Sequence, residues 1–176
     1  EVLPYDIFSP YQDIISERIK TLFQIISLDK GLIITTASTV MGRLMPVEYL
    51  AARSMVFKEN DELILEDFKT QLLDYGYRSV SQVSEHGEFA FRGSILDVFP
   101  MGSSSPFRMD LLDNSIDSIR LFETETQKSF SKINEINILP ANKMDYTDDG
   151  INRFRKNWRE TFERNPLNSE IYVDVS

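Results

Sequence analysis

The chain has 176 residues, 41% of them hydrophobic and 27% charged. That composition describes a folded globular protein and excludes disorder and low-complexity sequence. The absence of cysteine excludes disulfides and thiolate metal sites, and a net charge of −9 argues against non-specific nucleic-acid binding by the chain as a whole.

The first residue is glutamate in place of methionine, so the chain is expected to be a piece of a longer protein. No apolar run approaches the roughly 18 residues a membrane span needs. Lack of cysteine fits a reducing cytoplasm.

In chain order, Ser9-Pro10-Tyr11-Gln12 reads as a helix start, with Ser as cap, Pro at the first position and Gln closing a capping box. Ile14, Ile15, Ile19, Leu22, Phe23 and Ile26 follow at helical spacing, and the helix should stop before Gly31. Leu32 to Thr35 reads as a short strand of the buried parallel kind. A short helix over Thr39 to Leu44 completes an α/β layer, residues 1–54.

The pattern changes near Met55. A strand over Met55–Phe57 precedes a helix over Glu66–Tyr75 ended by Gly76. Strands then dominate: Ser79–Val83, Glu88–Arg92, Ile95–Phe99, Phe107–Leu112, Ile116–Phe122 and Ile133–Leu139, with Asp113-Asn114 as a hairpin turn. Residues 55–140 thus form an α+β module, a mostly antiparallel sheet with one helix. From Met55 to Pro140 there are 8 Lys/Arg and 15 Asp/Glu, so its arginines are discrete contacts within an acidic module.

After Pro140 the helical period returns. Thr147 can cap, Asp148 and Asp149 suit a helix N-terminus, and Ile151, Phe154, Trp158 and Phe162 form one stripe. Residues 141–176 are read as the return to the first layer, which makes the sheet module an insertion within a split α/β domain.

Catalytic and metal-binding patterns are mostly missing. Gly87 and Gly93 are six apart with no following lysine, unlike a phosphate loop. The single histidine, His86, lies close to Glu85, Glu88 and Ser94, but a lone strand-end histidine is ordinarily a surface residue. One His without Cys assembles no zinc site, and the run from Asp145 to Gly150 lacks the Glu of a calcium loop, with Lys156 in its place. Arg153, Arg155, Lys156 and Arg159 read as the solvated side of an amphipathic helix. No catalytic, metal-binding or cofactor-binding residue is assigned.

The arginines of the sheet are different. Alternation puts Phe89, Phe91 and Ile95 on one face and Ala90, Arg92 and Ser94 on the other. It also puts Phe107, Met109 and Leu111 inward, with Arg108, Asp110 and Leu112 outward. Arg92 and Arg108 are therefore expected on one exposed face, contributing little to folding. An exposed Leu112 beside them resembles a protein-binding hot spot.

The segments EVLPYDIFSPYQDIISERIKTLFQI, GLIITTASTVMGRL, EHGEFAFRGSILDVFPMGS, PFRMDLLDNSIDSIRLF and FRKNWRETFE resemble, in order and along nearly the whole chain, the N-terminal region of the bacterial transcription-repair coupling factors (Mfd). The middle module is also similar to the second domain of the excision-repair helicase UvrB. The resemblance implies a partial helicase-like α/β layer without an ATP site, carrying an inserted module that docks onto UvrA, the damage-recognition ATPase. It places the contact on Arg92, Arg108 and Asp110. Leu112 stands where the family usually has an aromatic, and Ala90 where UvrB tends to carry a basic residue. The implied parent is an ATP-driven DNA translocase that displaces stalled RNA polymerase. Its ATP, Mg, polymerase and double-stranded DNA sites would lie outside this stretch. The alternative function is direct DNA binding or damage sensing through Arg153, Arg155, Arg159 and the sheet arginines.

Overall fold

Apolar residues at every second position build the largest element of the computed structural model, which describes residues 11–41, 44–142 and 148–162. The chain divides into two units between residues 143 and 144. The first contains α1 (Gln12–Ile26), α2 (Ala37–Met41), α3 (Val47–Ala52), β1 (Met55–Lys58), α4 (Leu65–Asp74) and β2 (Arg78–Ser79). It continues with β3 (Glu88–Arg92), β4 (Ile95–Phe99), β5 (Phe107–Leu112), β6 (Ser115–Phe122), β7 (Ser129–Ile133) and β8 (Glu135–Ile138). The second unit holds α5 (Asp148–Phe162), with Ile151 and Phe154 half-buried and Arg153, Arg155 and Lys156 exposed. No helix among the described residues is long and apolar enough to cross a membrane.

Six strands form one sheet in the order β2-β3-β4-β5-β6-β7. The β2–β3 pair is parallel and every other neighbour is antiparallel. β1 and β8 make a separate antiparallel pair. One face of the large sheet carries Phe89, Leu96, Val98, Met109 and Ile119, which share a core with Phe68 and Leu72 of α4 and Ile136 and Ile138 of β8. Each such side chain contributes about 1.5–3 kcal/mol on burial. Phe57 of β1 meets Phe68 edge to face, with centroids 5.0 Å apart.

The ends of the module are tied together. Ala141 and Asn142 both donate backbone N–H groups to the Tyr75 carbonyl. The Tyr77 hydroxyl donates to the Leu139 carbonyl at 2.6 Å and accepts from the Met101 N–H at 3.3 Å. Burial pushes the Tyr77 phenol well above its ordinary pKa, so this crosslink stays neutral.

A second core lies under α1. Ile15 and Ile19 pack with Leu50 of α3, Met101 and Leu139. The Gly102 N–H donates to Ser16 Oγ at 2.8 Å. His86 closes the same junction, its Nδ1 2.9 Å from Asp13 Oδ1 and its Nε2 2.8 Å from the Ser103 carbonyl. Its ring lies against Phe99, centroid to centroid 3.9 Å. The histidine is a bracket between a helix and a loop.

Several expectations need correction. Residues 32–35 form no strand, and Leu32, Ile33 and Ile34 are exposed. A buried parallel strand needs neighbours for its backbone N–H and C=O groups, and no strand among the described residues pairs with it. Ser9, Pro10 and Thr147 lie outside the described residues. Tyr11 occupies the cap of α1 and makes no side-chain cap bond. Of Ser79–Val83 only Ser79 belongs to a strand, and β7 was not expected.

Gly76 ends α4. Its N–H donates to the Leu73 carbonyl and the Tyr77 N–H to that of Leu72, the paired bonds of a Schellman cap. Its φ is +87°, and a Cβ there would run into the side chain of Asn142. Gly76→Ala should therefore destabilise the chain by at least about 1 kcal/mol, read as an earlier midpoint in a urea melt.

Candidate protein-docking site

The site is built on the face of the sheet opposite α4. Register fixes it: Ala90, Asp97, Arg108 and Arg120 lie opposite one another across β3, β4, β5 and β6. The next row is Arg92, Ile95, Asp110 and Ser118. Directly paired residues share a face, so both rows project to the same side.

Asp97 is the centre. Its side chain has 0% exposure. Arg108 grips it with two parallel hydrogen bonds, Nε to Oδ1 at 2.7 Å and Nη2 to Oδ2 at 2.8 Å. Arg92 Nη2 also donates to Asp97 Oδ2. The third nitrogen of Arg108, Nη1, donates to the Gln127 carbonyl at 3.0 Å, and its guanidinium carbon sits 4.7 Å from the centroid of the Phe122 ring. The hydrogen bond to Asp97 pushes Arg108 still further above its ordinary pKa, against the opposing effect of burial. The arginine stays charged wherever the protein folds.

Around this centre the face is closed on one side and open on the other. Val83, Ala90, Phe99 and Phe122 form a small core of their own, with Val80 against it. The loop that carries Val83 is held by Glu88, whose Oε2 accepts from the Ser84 and Glu85 N–H groups, each at 2.9 Å. Gln127 Nε2 donates to the Val83 carbonyl at 3.0 Å. On the open side, Asp110 Oδ2 accepts from Ser118 Oγ at 2.9 Å and lies 3.4 Å from Arg120 Nη2. Leu112 ends β5 with 67% of its surface exposed.

The family model described as UvrB interaction domain matches residues 55–144. The chain belongs to the UvrB interaction domain family. Its relatives include the transcription-repair-coupling factors of Haemophilus influenzae, 46% identical over 179 residues, and Escherichia coli K12, 44% identical over 176 residues. Both similarities cover 100% of this chain and 15% of the relative. That of Staphylococcus aureus is 35% identical over 150 residues, covering 85% of this chain and 13% of the relative. The chain therefore spans about 15% of the length of the first two curated relatives.

Within this interaction domain the structure gathers Arg92, Arg108 and Asp110 onto one face and leaves Leu112 outward. Two expectations change. Ile95 stands opposite Arg92 and shares its face, because Gly93 (φ +63°) and Ser94 form a two-residue turn that reverses the chain; Leu96 and Val98 take the inner places. Arg108 is not an exposed surface residue. Its side chain is only 16% exposed, against 46% for Arg92.

The sequence reading missed Asp97, Arg120 and Gln127. A signal for Asp97 was present, a lone acid in the middle of an otherwise apolar strand, Ile95-Leu96-Asp97-Val98-Phe99. Such a residue needs a cationic partner on the facing strand. Among the described residues no group of three or more His, Asp and Glu could hold a metal ion.

The asymmetry of the two arginines sets an expectation for stability. Arg108→Ala removes the two-pronged contact to a buried carboxylate and should cost about 3 kcal/mol. Arg92→Ala acts at a half-exposed group and should cost about 1 kcal/mol or less. Urea melts of the two variants beside the parent chain read the difference.

Proposed function

We propose that the chain is a UvrA-docking module of a transcription-repair coupling factor. The observation that carries the reading is the match of residues 55–144 to the UvrB interaction domain within a chain similar throughout to transcription-repair-coupling factors. The arginine face gives the reading its chemistry. Asp97 neutralises one of the two arginines it binds, which leaves one positive charge at the half-exposed Arg92, on the same sheet as an outward apolar Leu112 at the end of β5. An arginine fork on a face that also exposes an apolar side chain suits a protein partner that presents a carboxylate and an apolar group.

The module, residues 55–140, is an insertion between residues 1–54 and 141–176, whose described elements are helices. The stretch has no catalytic role and no cofactor of its own. ATP and Mg act in other parts of the parent, a cytoplasmic ATP-dependent DNA translocase that displaces stalled RNA polymerase on double-stranded DNA. Direct DNA binding is the poorer reading. The sheet arginines are engaged by a buried carboxylate, and the net charge is −9.

Calorimetric titration of purified UvrA into the chain tests the docking. Arg92→Ala should weaken binding about thirtyfold or more, the effect of truncating one member of an interfacial charge pair. Leu112→Ala should weaken it less. A labelled duplex should show no salt-sensitive association; binding that falls steeply with salt, with none to UvrA, would favour DNA. The chain should turn over no ATP above background.

A further inference from the structure

We propose that Asp97 is a positioning residue, which holds the guanidinium of Arg92 in the orientation its partner meets. This rests on the docking reading above and names the device behind it. With no exposed surface, Asp97 touches no partner. It can act only through the two side chains it binds.

The chain of contacts runs in one direction. Arg108 is held at three places: both oxygens of Asp97, the Gln127 carbonyl and the Phe122 ring. Its planar fork fixes the plane of the Asp97 carboxylate, because two parallel bonds allow one relative orientation. Oδ2, already bonded to Arg108, then accepts from Arg92. Arg92 ends β3 at the Gly93 turn, where an unanchored arginine would sample many rotamers. Fixing it before association removes that ordering cost from binding. Arg108 is thereby a second positioning residue, and Arg92 the one that makes contact.

Charge supports the same division. One carboxylate cannot neutralise two guanidinium groups, and the nearby Arg120–Asp110 pair is self-compensating. The surplus positive charge is expressed where solvent reaches, at Arg92. The fitting partner group is a carboxylate.

The test is a double-mutant cycle on the full chain titrated with UvrA: parent, Arg92→Ala, Asp97→Asn and the combination, at a temperature where each is folded. Asparagine keeps the shape and removes the charge. Asp97→Asn alone should weaken binding about tenfold, and the roughly thirtyfold penalty of Arg92→Ala should shrink to less than about threefold in its presence. A purely structural role would leave that penalty unchanged, and an unchanged penalty overturns the proposal. Tighter binding by Asp97→Asn also overturns it, because the carboxylate would then be competing with the partner. Should Asp97→Asn fail to fold, Arg108→Lys takes its place, keeping the charge but losing the fork.

A measurement without UvrA separates this proposal from the docking reading. Nuclear relaxation of the Arg92 Nε–Hε group should report an ordered side chain in the parent and a mobile one in Asp97→Asn. Equal order in both overturns the positioning role. A parent chain that does not bind UvrA overturns the docking reading and leaves the ordering result standing.

Discussion

A single carboxylate without solvent organises the outer face of the sheet. Moving a carboxylate out of water costs several kcal/mol even after the protein relaxes, and only close, well-aligned cations offset that cost. Asp97 has both oxygens bonded to guanidinium groups, and Arg108 supplies the two-pronged half of the contact. The backbone does the alignment. Ala90, Asp97 and Arg108 face each other across three strands, so the smallest of the three leaves room for the acid. A slip of one residue in either ladder would turn Asp97 into the α4 core. The ion cluster thus penalises wrong registers as much as it stabilises the right one.

The apolar side of the sheet resists the same slip. Leu96 and Val98 flank Asp97 on β4 and have no exposed surface. The two faces therefore agree on one alignment, with apolar packing on the first and charge pairing on the second. Such agreement between independent constraints gives a sheet one native pairing.

Much of this was legible in the residues, for stated reasons. Strands β3, β5 and β6 announce themselves by alternation, β4 by its apolar run, and α4 by its spacing and its glycine stop. What escaped depended on partners distant in sequence. Counting straight through Gly93 misplaced Ile95, since parity along a chain is not conserved through a two-residue turn. Arg108 was expected in solvent because nothing local reveals that Gln127 and Phe122 will close over it. Ser129-Phe130-Ser131-Lys132 has little apolar content, as suits the last strand of a sheet, so β7 left a faint trace. Leu32-Ile33-Ile34 gave the opposite error: a strong strand signal in residues that pair with no strand described here. Alternation and resemblance together singled out the arginine face, while its central acid was recognised from the geometry.

The pairing of β1 with β8 has a mechanical consequence. The strand that leads into the module and the one that leads out lie side by side and antiparallel, with Met55 opposite Ile138 at the outer end and Lys58 opposite Glu135 at the inner one. Tension between the two flanks would therefore peel this ladder like a zip, from the Met55 rung inward, once the bonds of α1 to His86 and Gly102 and those of Leu139, Ala141 and Asn142 to Tyr77 and Tyr75 have parted. The six-stranded sheet lies in the chain between Lys58 and Glu135, behind these outer bonds and rungs. The surface carried on such a loop is separated from the two flanks by breakable contacts that lie outside its own strands.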